Sequence, residues 1–385
     1  VGGSATLEAD ATGYAQVLGD ITGEVTWEYY LDDGTRWYNL GFPISGGTLA
    51  DVDFTNGVFL QADGTASQTN IYSYDASAVG TGDAQGDWTA MNNLSGAINP
   101  GEGWSAYLGG PFFGTLPATM SLTGTLASGD QVINITPQAV NTADGLGWNF
   151  IANPFAAVID WDAIAQVAAN ASLSTTYWVF DGANDQWQAR NQAASGSTPA
   201  GADVDADQYI APGQAFFVRS AANGQTSVTI PTSSQVTGQS PVNVRSARPV
   251  NSLTLKVSDQ VKGSMDVTWI GFEAGNTDAH DGRKDTYKRF NDLKRFPAIY
   301  TQSGQDAMIY NFVDDQFSSR TLDLYFEYEN DSNAMAIEGM FDYLEPGWRV
   351  ELEDKQTGQR IDLRQGAYSF SHTVGNAPQR FTLHI

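Results

Sequence analysis

The chain has 385 residues, 41% of them hydrophobic, 12% aromatic and only 16% charged, which is apolar material for two or three packed domains of about 100–200 residues each and the opposite of a disordered tail. With 44 acidic against 19 basic residues the formal net charge is −25, which excludes nucleic acid and anionic lipid as main partners, because clustered Lys and Arg hold both. The absence of cysteine removes disulfides, thiolate metal sites and thiol nucleophiles together.

The chain opens at Val1 without a charged-then-apolar leader, as expected of a mature or trimmed product, and no stretch approaches the ~18 apolar residues of a membrane span. Ser4 to Asp20, SATLEADATGYAQVLGD, alternates like a strand ahead of the first landmark. It is a candidate either for pairing with a neighbouring subunit or for closing a sheet within its own chain. In VTWEYYL, Trp27 and Tyr29 share one strand face and Glu28 and Tyr30 the other.

Three landmarks then occur twice. WYNLGFP (Trp37 to Pro43) is matched by WNFIANP (Trp148 to Pro154), IYSYD (Ile71 to Asp75) by YWVFD (Tyr177 to Asp181), and NPGEGWSAYL (Asn99 to Leu108) by APGQAFFVRS (Ala211 to Ser220). The distance from Trp to the second Pro is 63 residues in one copy (37 to 100) and 64 in the other (148 to 212), the signature of an internal repeat. Each Trp-to-Pro segment predicts a buried strand stopped by Pro. YxYD and WxFD predict the first arms of hairpins whose second arms carry Trp88 or Trp187, and each PG turn leads into a further strand. The recurrence of Trp37, Trp88, Trp148 and Trp187 at matching positions points to core packing. One short helix is predicted, Ile159 to Ala171, with Asp160 as its N-cap.

Charge divides the chain. Residues 1–137 hold one basic residue, Arg36, against 15 acidic; residues 138–240 hold 2 and 8; residues 241–385 hold 16 and 21. The break near residue 240 coincides with the linker-like PTSSQVTGQSP, Pro231 to Pro241. After it come longer alternating strands, SLTLKVS, MDVTWIGF, AMIYNF, TLDLYFEYE, RVELEDK and RFTLHI, as in a two-sheet sandwich. They are interrupted by the basic DTYKRFNDLKRF, Asp285 to Phe296, expected as a solvated loop or a helical turn or two. The fold class is thus all-β and mainly antiparallel: two related sandwich-like repeat units (1–137, including the N-terminal strand, and 138–240), then a C-terminal β-sandwich (241–385), with very little helix.

Taken in order, VTWEYYL, RWYNLGFPISGGTLADV, GWNFIANPF, VIDWDAI, YWVFDG, YIAPGQAFFV, FEAG with its following aspartates and the terminal RFTLHI resemble the C-terminal region of large surface proteins exported by the type IX secretion system of Bacteroidetes bacteria. In that family an RFTLHF-like strand precedes a cleavable sorting domain. The resemblance implies an extracellular or cell-surface product from which that domain has been removed.

Motifs for chemistry are sparse. The three histidines, His280, His372 and His384, lack HExxH spacing, and there is no GxSxG elbow, P-loop or dinucleotide fingerprint, so no enzyme is predicted. Two acidic clusters suit calcium, a hard cation that takes carboxylate oxygens. Asp203, Asp205 and Asp207 alternate as an EF-hand loop begins, although Gln208 and Gln214 replace its Gly and Glu. Asp278, Asp281 and Asp285 surround His280 in a Gly-bearing loop. Two functions remain open: a non-enzymatic structural or adhesive surface protein, such as a coat or filament subunit associating through edge strands and its N-terminal segment, or a carbohydrate-binding accessory module holding a surface polysaccharide.

Overall fold

The computed structural model describes residues 5–65, 68–78, 87–137, 147–181, 186–191, 206, 208–220, 224–237, 251–282, 284–290 and 296–385. It is all-β and mainly antiparallel, and among the described residues no helix is long and apolar enough to cross a membrane. The chain clusters into two units, residues 1–185 with 207–242, and residues 186–206 with 243–385. The strand that carries Trp187, Gln186–Arg190, stands next to Leu173–Asp181 in the sheet order, as the expected hairpin arm.

In the first unit, the first repeat copy is a two-layer sandwich. One layer contains β1 (Ala5–Leu7), β2 (Glu24–Leu31) and β7 (Ala118–Leu126). The other has β3 (Arg36–Gly41), β4 (Ile71–Asp75), β5 (Asp87–Ala90) and β6 (Gly103–Leu108) in the order β3-β6-β4-β5. Trp27, Met120 and Leu122 from one layer meet Tyr38, Leu40, Trp104, Ala106 and Leu108 from the other in one buried core, because alternate residues of a strand share a face. The N-terminal segment is used within its own chain: β1 adds to β2 in parallel, Ala5 opposite Val25 and Leu7 opposite Trp27, and Val17 N–H donates to Ala156 O at 2.8 Å. The segment thus closes a sheet within its own chain, with β1 as the edge strand of that sheet.

After a short strand, β8 (Gln131–Asn134), the second copy repeats the ladder in register. β9 (Trp148–Ala152), β10 (Leu173–Asp181) and β11 (Ala215–Ser220) run in the order β9-β11-β10, as β3-β6-β4 do. Trp37 opposes Tyr107 and Gly41 opposes Gly103; at matching positions Trp148 opposes Arg219 and Ala152 opposes Ala215. Tyr72 opposes Ser105 as Trp178 opposes Phe217. The expected hairpin forms in the first copy, with Tyr74 opposite Trp88. The predicted helix shortens to α1 (Trp161–Ala165) plus a turn of 3-10 helix, and Asp160 caps it by accepting from Asp162 N–H at 2.9 Å.

The two copies exchange backbone hydrogen bonds reciprocally. Gly41 N–H donates to Gly213 O at 2.9 Å, and Ala152 N–H donates to Gly101 O at 2.9 Å. Gly41 and Ala152 stand at one repeat position, Gly101 and Gly213 at another, so the copies are related by a pseudo-twofold axis. Isolated bridges repeat the exchange, Leu40 with Gln214 and Glu102 with Ile151. Small residues permit this approach: a Cβ on Gly41 would overlap that of Ala152, and one on Gly103 would press on Phe150 and Ala215.

The second unit builds the expected β-sandwich from a single sheet that folds over on itself. It is one 11-stranded sheet that includes β12 (Asn251–Asp259), β13 (Met265–Phe272), β14 (Asp306–Val313), β15 (Thr321–Glu327), β16 (Ser332–Met340), β17 (Glu351–Asp354), β18 (Tyr368–His372) and β19 (Phe381–His384). β13 and β14 pair in parallel within it. The sheet folds over until its ends share a core, with Phe370 of β18 packed on Phe326 of β15 at 5.3 Å and on Phe381 of β19 at 5.1 Å. A buried ion pair ties the same ends. Arg380 donates to both oxygens of Asp354 (3.1 and 2.7 Å), and Tyr368 OH adds a third bond at 2.8 Å. Once buried, such a pair must stay fully bonded, since an unpartnered charge there is strongly destabilising.

The described start of the basic segment, residues 285–290, packs inward and is not a solvated loop. Lys288 and Arg289 are buried; Lys288 Nζ bonds Asp266 at 2.6 Å and Arg289 lies over the Trp187 ring. Residues 291–295 of that segment lie outside the described residues.

Two outcomes follow from this packing. Gly41→Ala should destabilise the protein by about 1–3 kcal/mol through overpacking, and adding Ala152→Gly should recover part of that loss, read as a coupling in urea unfolding; strictly additive effects would contradict the close approach. In the second unit, buried His372 donates from Nε2 to Tyr328 O at 2.8 Å, and burial together with Arg380 holds its pKa below the ordinary 6.5. Its contribution is therefore complete above pH 6.5 and is lost as the pH falls through the depressed value. His372→Gln should flatten the decline of the melting temperature between pH 7.5 and 5.5.

Candidate functional site

The most distinctive surface of the first unit is aromatic. Along β3, Tyr38 and Leu40 point into the core, so Trp37 and Asn39 face outward. Trp37 stands against Tyr72 at 5.5 Å and 70° and against Tyr107 at 5.4 Å and 62°. The row continues from Tyr107 to Phe113 at 6.4 Å and from Phe113 to Phe59 at 5.9 Å. Trp37 is 37% exposed, Phe59 42%, and the neighbouring Phe112 79%.

This row corrects the expectation that Trp37 is a core residue. Its repeat counterpart does take that role: Trp148 packs edge-on against Trp178 at 4.5 Å and 77° and is 1% exposed. The same pair, in the same register, is thus open in one copy and closed in the other. A sequence signal lies beside it, since Phe150 and Phe217 of the second copy replace Asn39 and Ser105 of the first. The VTWEYYL strand is no platform, because Trp27 is buried in the core and Tyr29 packs on it at 5.9 Å.

Charge around the row is negative. Arg36, the single basic residue of the first 137, is bound by Asp32 at 2.6 Å. Asp63 accepts from Thr65 N–H (2.9 Å) and from the Thr65 and Thr69 hydroxyls (2.8 and 3.0 Å). These bonds lower its pKa, and its charge, after burial, raises that of Tyr72. A cleft of about 490 Å³ opens nearby, lined by Tyr74, Asp75, Thr89, Asn134 and Phe150. Asn149 in its wall is committed to the fold, donating to Thr136 O at 2.7 Å and Gly147 O at 2.9 Å.

The acidic clusters fare differently. Asp203, Asp205 and Asp207 lie outside the described residues. Asp278 pairs with Arg320, while Asp285 is buried and accepts from Phe312 N–H and from Asp281 N–H, each at 2.7 Å. Burial raises its pKa against those bonds. Among the described residues no three His, Asp or Glu side chains come together as a metal requires, so Asp278, Asp281 and Asp285 are not assembled as a calcium site. His280 instead packs against Tyr287, the two rings tilted by 39° with centroids 4.4 Å apart.

A family described as a domain of unknown function (DUF8693) matches residues 55–385. The chain belongs to that family. The match takes in most of the first copy, including Phe59, Tyr72, Tyr107 and Phe113, all of the second copy and the whole second unit, and it begins after Trp37. No curated protein and no solved structure matches the chain.

Because Asp278 is engaged by Arg320 and Asp285 by backbone N–H groups, the Asp278 to Asp285 loop should not respond to chelation. The melting curve of Asp203→Asn/Asp205→Asn/Asp207→Asn is expected to be the same in excess chelator and in excess calcium. A shift that persists in this variant would place calcium at the Asp278 loop, since a ligand of the folded state stabilises by mass action.

Proposed function

We propose that this protein is a non-enzymatic adhesive protein of the cell surface, exported as its resemblance to type IX secretion products implies, and that it adheres through the open aromatic row of its first repeat copy. The observation that supports this reading is the unequal burial of one repeated pair: Trp148 with Trp178 is closed, whereas Trp37 with Tyr72 is open and continues into Phe59 and Phe113. Contiguous exposed aromatic surface is uncommon on a protein with no partner for it. Adhesion is favoured over self-assembly because a net charge of −25 sets identical copies against one another.

Antibody labelling of intact cells should find the protein at the surface, and beads coated with it should attach to those cells or their matrix more than beads coated with albumin. Beads coated with Trp37→Ala should attach less. Labelling only after lysis, or attachment no better than albumin, would overturn the reading.

A further inference from the structure

We infer that the row Tyr72, Trp37, Tyr107, Phe113 and Phe59 binds a single chain of neutral polysaccharide. The inference rests on the adhesive reading above and names the ligand class of the same face.

Continuity is the first argument. Successive ring centroids lie 5.5, 5.4, 6.4 and 5.9 Å apart, the contact distance of edge-to-face aromatic pairs, so the rings form one continuous aromatic surface on which Trp37 and Phe59 are exposed. Aromatic side chains supply large, rigid contact area with little rotamer freedom to lose. The angles are the second argument. Neighbouring rings stand at 62 to 83° to one another, so they form no flat plane. A flat crystalline array of chains does not fit such a surface, whereas a single chain can follow its relief.

Charge selects among occupants. Residues 1–137 carry 15 acids and one base, and that base is held by Asp32, so a polyanionic glycan is repelled and finds no free cation in that stretch. A second copy brings the same acidic surface to the contact. A neutral glycan suffers neither penalty, and its hydroxyls are donors for the carboxylates at the margin of the row, Asp63 among them.

Affinity electrophoresis of the full chain in gels containing hydroxyethylcellulose, laminarin, glucomannan or dextran tests this, with polygalacturonate as the anionic control. At least one neutral polymer should retard the protein and polygalacturonate should not. Trp37→Ala and Phe59→Ala, changes at separate places along an exposed row, should each weaken the retardation about tenfold or more with unchanged melting temperature. The inference is overturned if no neutral polymer retards the chain, if retardation survives both variants, or if polygalacturonate retards it equally. It is also overturned if light scattering shows a dimer that Trp37→Ala dissociates, for then the row is a contact between copies. Attachment of coated beads without polysaccharide binding would leave the adhesive reading standing and remove the glycan alone.

Discussion

Two backbone hydrogen bonds, Gly41 N–H to Gly213 O and Ala152 N–H to Gly101 O, set the geometry of the first unit. Each joins the end of a Trp-bearing strand in one copy to the PG turn of the other, so neither copy completes its own edge. The exchange demands small residues where the strands meet, and Gly41, Gly103, Ala152 and Ala215 supply them. It is also closed: a twofold contact uses the same patch on both partners and leaves none over for a third. The repeats therefore pair with each other and do not extend into an array through this surface.

From that closure comes the difference between the copies. Around the axis the outward faces overlap, and Phe150 and Phe217 of the second copy pack on Tyr74 and Trp88 of the first at 4.7 to 5.9 Å. Farther along the same sheet the first copy carries Trp37 on β3, Tyr107 on β6 and Tyr72 on β4, which are not among the rings in that overlap. Duplication with divergence gives one pair of ladders two uses, a sealed aromatic layer at Trp148 and an open one at Trp37.

Much of the fold was legible in the sequence because its determinants are local. The 63- and 64-residue spacings identify the repeat, alternation places Tyr74 opposite Trp88, and Asp160 caps its helix. What escaped was relational. Trp37 and Trp148 occupy the same repeat position, and what packs across from each, with Phe150 and Phe217 in the second copy where the first has Asn39 and Ser105, decides which is covered. Lys288 and Arg289 read as a charge run, yet Asp266, 22 residues away, draws Lys288 inward. An aspartate that accepts backbone N–H groups, as Asp285 does, cannot be told in sequence from one that holds calcium, because both roles need only carboxylate oxygens. Alternation likewise specifies a strand's faces and not whether its sheet is one of two or folds upon itself.

The central claim is that the two copies are one cooperative body held by a reciprocal exchange, and amide hydrogen exchange at Gly41 and Ala152 tests it most directly. Both amides should be protected to the level of the core strands β6 and β11 and should exchange with a common free energy of opening, since breaking either bond parts the same contact. Rapid exchange at one amide while the other remains protected would show that the copies open independently, and would contradict the account.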